Sequence, residues 1–179
     1  MKQRYLAAVL SLALTGCGGG GGPSLSEKME QAGWKSEPVL KGAEMERGQV
    51  SPAACEKLFS LLGHEEDTDT TRGFKKGEAA YLLVREWNGA GFPGDVSRAA
   101  EACPAMSMAY GPTTLTYTVA VEDKGDQTRL RLTARESGQV LAELLLGASE
   151  ASGRNRLVRV MNARDDGTQA LQVALTSPL

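Results

Sequence analysis

His64 is the only histidine of the chain, and it stands directly before two glutamates and an aspartate. A serine or cysteine hydrolase triad, or a histidine-rich zinc site, would have to use this imidazole. However, the chain has no Gly-x-Ser-x-Gly nucleophile pattern. Because His64 follows the expected end of a helix, where the helix dipole favours a cation, we interpret it as an exposed end-of-helix residue. We therefore predict no catalytic residue and no enzymatic activity.

A possible calcium loop follows the histidine. Four residues with side-chain oxygens occupy positions 1, 3, 5 and 12 of the calcium-loop template: Asp67, Asp69, Thr71 and Glu78. The template requires glycine for its sharp turn, but Arg72 stands at that position. Two lysines at 75 and 76 add positive charge where the cation would bind. We therefore interpret this segment as a solvated acidic loop and predict no metal.

The segment Gly89–Gly94 matches the Gly-x-Gly-x-x-Gly pattern of dinucleotide-binding turns, between a predicted strand and a predicted helix. Pro93 removes an amide donor from the turn that would face the phosphates. The first acidic residue at a strand end, Glu122, comes 28 residues after Gly94, whereas about 20 are expected. We therefore predict no nicotinamide cofactor, nor any other, and read the segment as a loop with Asp95 as the helix cap.

Cys17 carries a different chemistry, because the residues Leu14-Thr15-Gly16-Cys17 have the pattern of a bacterial lipobox. The apolar run before them, Tyr5 to Leu14, is too short to span a bilayer, which takes about 20 residues. The lipobox pattern implies cleavage before the cysteine and acylation of its thiol. We predict a lipoprotein signal peptide over residues 1–16 and lipidation of Cys17. The alternative is an ordinary secretory signal that is followed by a cysteine by chance.

The residues after the cysteine suit a tether. Residues 18–23 are five glycines and a proline, a flexible spacer with a mean span of about 13 Å. Two or three acyl chains on one cysteine give stable anchoring, whereas one chain binds only reversibly. We therefore predict a lipid anchor and tether over 17–23 and a single domain over 24–179. The domain would lie at the outer face of the cytoplasmic membrane or within the cell envelope.

The remaining cysteines, Cys55 and Cys103, are the only possible intramolecular pair if Cys17 is acylated. Exported proteins fold where disulfides persist, so we predict a bond between them; two buried free thiols are the alternative. The charge balance of 20 basic and 22 acidic residues offers no concentrated basic face, so no nucleic-acid partner is expected. The expected partners are the membrane, through the N-terminal lipid, and an unknown small ligand or envelope protein.

Hydrophobic spacing predicts helices in three places. A capping box at Ser24 and Glu27 begins a short helix. Ser51-Pro52, with serine as the N-cap, begins a second helix over 52–62 that places Cys55 on its buried face. A third helix, capped by Asp95, carries Cys103 on the same kind of face. The segment 167–175 fits a helix or a strand, and we favour a helix.

The other segments predict strands. Residues 79–87 form the first, and a four-strand antiparallel meander follows over 113–122, 129–135, 140–146 and 157–161. In the second of these, Arg129, Arg131 and Arg135 alternate with apolar residues, which is typical of an exposed sheet face. We therefore predict an α+β fold in which an antiparallel meander sheet is covered by two or three helices and stabilised by one disulfide.

Two cysteine-bearing segments carry a family resemblance: Ser51-Pro52-Ala53-Ala54-Cys55 and, after a strand, Ala99-Ala100-Glu101-Ala102-Cys103. Together with the lipobox they resemble actinobacterial envelope lipoproteins that are similar to the extracellular sensor domain of mycobacterial serine/threonine kinases. The resemblance covers roughly residues 50–175 and implies an α+β sandwich around a cleft, with disulfide support. It also implies binding of a ligand or partner without chemistry. Relatives often carry two cysteine pairs, and here there is one.

The sequence thus predicts a membrane-anchored, non-catalytic, ligand- or partner-binding module. We place its cleft near the segment Gly89–Gly94, which we call the glycine loop, because loops on rigid scaffolds present binding groups. The candidate ligand-binding residues are Trp87, Gly89, Gly91 and Phe92. The alternative is a lipid or glycolipid carrier of the cell envelope, which would have a large apolar cavity facing the membrane.

Overall fold

The computed structural model describes residues 22–39, 50–63, 70–110, 113–124, 126–162 and 166–178. Within these ranges, nine strands form one antiparallel sheet, and four α-helices pack against it, two on each face. This confirms the α+β class, with four helices where two or three were expected. The predicted signal peptide, Cys17, His64, Asp67 and Asp69 lie outside the described residues.

The four helices are α1 (Leu25–Gln31), α2 (Glu56–Leu62), α3 (Phe92–Glu101) and α4 (Gly167–Thr176). The capping box of α1 is confirmed, because the Glu27 amide donates to Ser24 Oγ and the Ser24 amide donates to the Glu27 carboxylate over 2.7 Å. The hydrogen bonds from the backbone and hydroxyl of Ser24 hold the pKa of Glu27 below its ordinary value. The helical interpretation of the C-terminal segment is also confirmed.

Two predicted helix starts are wrong. Helix α3 begins three residues before Asp95, because Gly91 takes the N-cap position with a left-handed φ of 82° and Pro93 fits the first turn. Asp95 instead lies in that turn and pairs with Arg98. Ser51 is not the N-cap of the second helix, because it belongs to a short strand that pairs with another strand. A 3-10 turn, Ala53–Cys55, then leads into α2.

Nine strands are present in the described ranges: β1 (Lys35–Glu37), β2 (Val50–Ser51), β3 (Thr70–Lys76), β4 (Ala80–Asn88), β5 (Ala105–Tyr110), β6 (Thr113–Lys124), β7 (Gln127–Glu136), β8 (Gln139–Ala151) and β9 (Arg154–Met161). Their order in the sheet is β1-β3-β4-β9-β8-β7-β6-β5-β2. The predicted four-strand meander is confirmed as β6 to β9. The predicted acidic loop is wrong over residues 70–76, where β3 pairs with β4.

Each face of the sheet has its own hydrophobic core. One core lies under α2 and α3 and includes Leu58, Val96 and Leu132. The other lies under α1 and α4 and includes Leu25 and Leu171. Because side chains alternate along a strand, neighbouring residues of the central strands enter opposite cores. The central strands β4, β8 and β9 therefore support both layers.

The predicted disulfide between Cys55 and Cys103 is present, with 5.0 Å between the two Cα atoms. Cys55 ends the 3-10 turn before α2, and Cys103 follows the end of α3. Both sulfurs are fully buried in the core beneath these helices. The bond therefore joins two segments on the same face of the sheet.

Helix α4 lies very close to the sheet because glycine stands beneath it. A Cβ atom on Gly147 of β8 would come within 2.7 Å of Leu175 Cδ1 and 2.8 Å of Leu171 Cδ1. The missing side chain lets these leucines rest on the strand backbone. Among the described helices, none has the length and apolar character needed to cross a membrane.

Candidate functional site

The two aromatic residues of the predicted site are core residues. Trp87 and Phe92 are each only 6% exposed, and their rings meet edge to face with 4.7 Å between centroids. This contact fastens the start of α3 to β4. The rings therefore stabilise the loop from beneath, and contact between them and a ligand stays a prediction.

The glycine loop itself is bound to a neighbouring hairpin. The Gly89 amide donates to the Gly153 carbonyl over 3.0 Å, and the Gly91 amide donates to the Glu150 carboxylate over 2.6 Å. These amides are already occupied, so they do not form an open phosphate cradle. In addition, the strands before and after α3 are not neighbours in the sheet, so the parallel β-α-β unit of dinucleotide-binding folds is not formed here. Only residues 89–91 of this segment form a loop, because residues 92–94 are the first turn of α3.

The calcium-loop template is split by the structure. Its positions 5 and 12, Thr71 and Glu78, lie in β3 and in the turn after it, whereas its positions 1 and 3 lie outside the described residues. Among the residues that the structure describes, no group of three or more histidine, cysteine, aspartate or glutamate side chains could hold a metal ion.

A cavity of about 630 Å³ opens at one end of the sheet, on the face that α1 and α4 cover. Most of its lining side chains are polar or charged. We call it the arginine cavity, and its lining residues are Thr70, Arg72, Glu86, Ser149, Ala151, Ser152, Arg154, Arg156, Leu175, Thr176, Ser177 and Pro178.

Paired residues of four neighbouring strands form the floor of the arginine cavity. Thr70 of β3 is opposite Glu86 of β4, Glu86 is opposite Arg156 of β9, and Arg156 is opposite Ser149 of β8. One row of side chains therefore crosses four adjacent strands. Arg154 lies two residues before Arg156 and so belongs to the same face, one step nearer the sheet end.

Glu86, which is buried, and Arg156, which is mostly buried, form an ion pair at the centre of this floor. Their side chains are 8% and 11% exposed, and two guanidinium nitrogens of Arg156 contact one carboxylate oxygen. Arg154 adds a second positive charge, with its Nε atom 3.7 Å from the other carboxylate oxygen. A buried carboxylate requires such partners, because an unpaired charge in the interior is strongly unfavourable.

Arg156 also holds the end of helix α4. Its Nη1 atom donates to the Ala174 carbonyl over 2.6 Å and to the Ser177 carbonyl over 2.7 Å. The last carbonyls of a helix lack partners within the helix and carry partial negative charge, which a guanidinium compensates. A single side chain therefore connects the floor of the arginine cavity to its helical wall.

The beginning of α1 contacts two residues that line the cavity. The Leu25 amide donates to the Pro178 carbonyl over 2.7 Å, and Arg72 Nη1 donates to Ser26 Oγ over 3.2 Å. Gly22 and Pro23, just before this helix, are exposed. The N-terminal segment therefore enters the domain beside residues that line the arginine cavity.

The arginine cavity and the glycine loop share one end of the sheet but lie on opposite faces. The turn between β8 and β9 separates them: Gly153 contacts the loop, and Ser152 lines the cavity. Along β8, Glu150 reaches Gly91 whereas Ser149 and Ala151 line the cavity, as strand alternation requires. The predicted site and the arginine cavity therefore lie at the same end of the sheet, and the sequence analysis named none of the cavity residues.

A comparison with solved structures finds the same fold in the extracellular domain of PknH from Mycobacterium tuberculosis. The TM-score is 0.54 at 12% sequence identity, and the match covers 84% of this chain and 87% of that one. No family model and no curated protein matches the chain. The structural match agrees with the fold that the sequence resemblance implies, and at this identity it shows the fold alone.

Proposed function

We propose that this protein is a membrane-anchored extracytoplasmic lipoprotein that binds a ligand without catalysing a reaction. The single observation that carries the proposal is the arginine cavity, which combines a volume suited to a small molecule with convergent charged groups. The lipobox at Cys17 and the Cys55–Cys103 disulfide support an exported, anchored protein. The fold shared with an extracellular domain is consistent with this location.

The position of the cavity suits a protein that works at a membrane. If Cys17 is acylated, the tether over residues 18–23, with a mean span of about 13 Å, leads to the start of α1, which contacts residues that line the cavity. The opening would then lie close to the lipid headgroups. Ligand could come from the membrane surface or from the surrounding envelope.

The alternative of a lipid or glycolipid carrier requires an apolar cavity of similar size. Charged residues form the floor of the arginine cavity, and burial of acyl chains against them would remove hydration from the guanidinium groups. A polar ligand, or the polar part of a larger one, suits this lining better. We therefore favour a binding module over a lipid or glycolipid carrier.

Two tryptophan substitutions at opposite ends of β8 test the role of the arginine cavity. Ala151→Trp would fill the cavity from its mouth, whereas Gln139→Trp adds the same ring at an exposed position at the far end of the strand. In a complementation assay in the source organism, Ala151→Trp should abolish function and Gln139→Trp should not. Equal function of the two variants would contradict the proposal.

A companion experiment tests the anchor and the absence of catalysis. Cys17→Ala should remove the protein from the membrane fraction, because acylation requires the thiol. His64→Ala should leave both function and melting temperature unchanged. Loss of function in the histidine variant with a normal melting temperature would contradict the non-catalytic role and favour an enzyme or a metal site.

A further inference from the structure

We propose that the arginine cavity binds a phosphate group, carried either by a lipid headgroup or by a soluble molecule. This inference rests on the proposed function and names the chemistry of its ligand. Three guanidinium groups and one carboxylate line the cavity among the described residues. The whole chain has a net charge of −2, so this concentration of arginine is a local feature.

Guanidinium groups are suited to oxyanions in particular. Each presents a planar fork of N–H donors that matches two oxygens of a phosphate, and its charge persists at any physiological pH. The nitrogens of Arg156 already contact Glu86 and the Ala174 and Ser177 carbonyls. Arg72 of β3 and Arg154 of β9 line the same cavity, so a single anion can be approached from two sides.

The cavity is also organised before any ligand binds. Arg156 is fixed by Glu86 and by two helix-terminal carbonyls, and Arg72 is held by Ser26. Side chains that are already fixed lose little conformational freedom on binding, which favours affinity. The hydroxyl groups of Thr70 and Ser152 line the same space and can add hydrogen bonds to phosphate oxygens.

Phosphate binding can be measured on the acylated protein in neutral detergent micelles. Inorganic phosphate is titrated at constant ionic strength and followed by calorimetry, and we expect saturable binding with a dissociation constant below about 1 mM. Arg72→Gln and Arg154→Gln should each weaken binding about tenfold, since each removes a charge-assisted hydrogen bond. Arg135→Gln, which makes the same charge change on an exposed hairpin, should stay within about twofold.

Arg154→Lys is the control for misfolding of the glutamine variants. It keeps the charge but loses the planar fork, so binding should weaken less than in Arg154→Gln. Two results would overturn the phosphate site: absence of saturable binding, or equal weakening by Arg135→Gln. The second result would mean that phosphate responds only to overall charge.

Native mass spectrometry of the same micelles, with added phosphatidylglycerol, distinguishes the two sources of phosphate. If the wild type and Arg135→Gln retain the lipid, whereas Arg72→Gln and Arg154→Gln lose it, the cavity binds a lipid headgroup. Phosphate binding without lipid retention identifies a soluble ligand. If the protein from its native membrane holds an uncharged ligand that Ala151→Trp removes, the proposed function stands and the phosphate inference fails.

Discussion

Removal of Arg156 should strongly destabilise the protein, because this side chain supports three groups at once. Arg156→Gln leaves the buried Glu86 carboxylate without its main partner and takes a charged donor away from the Ala174 and Ser177 carbonyls. Removal of one partner of a buried ion pair costs about 3–5 kcal/mol. Arg154 remains 3.7 Å from the carboxylate, so we expect the lower end, about 3 kcal/mol.

Urea unfolding followed by circular dichroism measures this change in the free energy of unfolding. Arg135→Gln is the matched control, and as an exposed substitution it should stay within about 0.5 kcal/mol of the wild type. The double variant Glu86→Gln with Arg156→Gln should be more stable than Arg156→Gln alone, because the unpaired buried charge is then gone. A loss below about 1 kcal/mol in Arg156→Gln, or a double variant less stable than the single one, would refute the reasoning.

Three further predictions concern the scaffold. Cys55→Ala or Cys103→Ala opens a loop with a sequence separation of 48 and should cost about 4 kcal/mol in the chain-entropy model; an unchanged urea midpoint under oxidising conditions would contradict this. Gly147→Ala should cost about 1–3 kcal/mol by pushing α4 off the sheet, and a wild-type melting temperature would show that the helix adjusts freely. At pH values above its ordinary pKa, the ionised Glu27 side chain stabilises the folded state. This contribution is lost as the pH falls through the lowered pKa that Glu27 has in the folded state. The stability gap between wild type and Glu27→Gln should therefore narrow in acid, and a constant gap would contradict this.

Local signals in the sequence predicted much of the scaffold. The capping box at Ser24, the alternation along β6 and β7, and the spacing around Cys55 each report an interaction between near neighbours or a buried face. Strand β3 was missed because its residues are mostly polar and only Gly73 and Phe74 are buried. Strand β5 was missed because alanine, serine and methionine carry little strand preference.

The arginine cavity could not be predicted, because pairing between distant strands creates it. Glu86 comes from β4, Arg156 from β9 and Arg72 from β3, and no spacing in the chain relates them. One signal was present: Arg85 and Glu86 are charged residues inside an otherwise apolar strand, and both are buried. The aromatic residues of the predicted site instead followed the usual tendency of tryptophan and phenylalanine to enter the core.

Mass spectrometry of molecules that co-purify with the protein from its native membrane tests the central claim most directly. The wild type and Gln139→Trp should retain the same small molecule, and Ala151→Trp should lose it while it keeps the wild-type melting temperature. A protein that carries no ligand in any of the three forms, or a ligand that Ala151→Trp retains, would contradict a binding function for the arginine cavity.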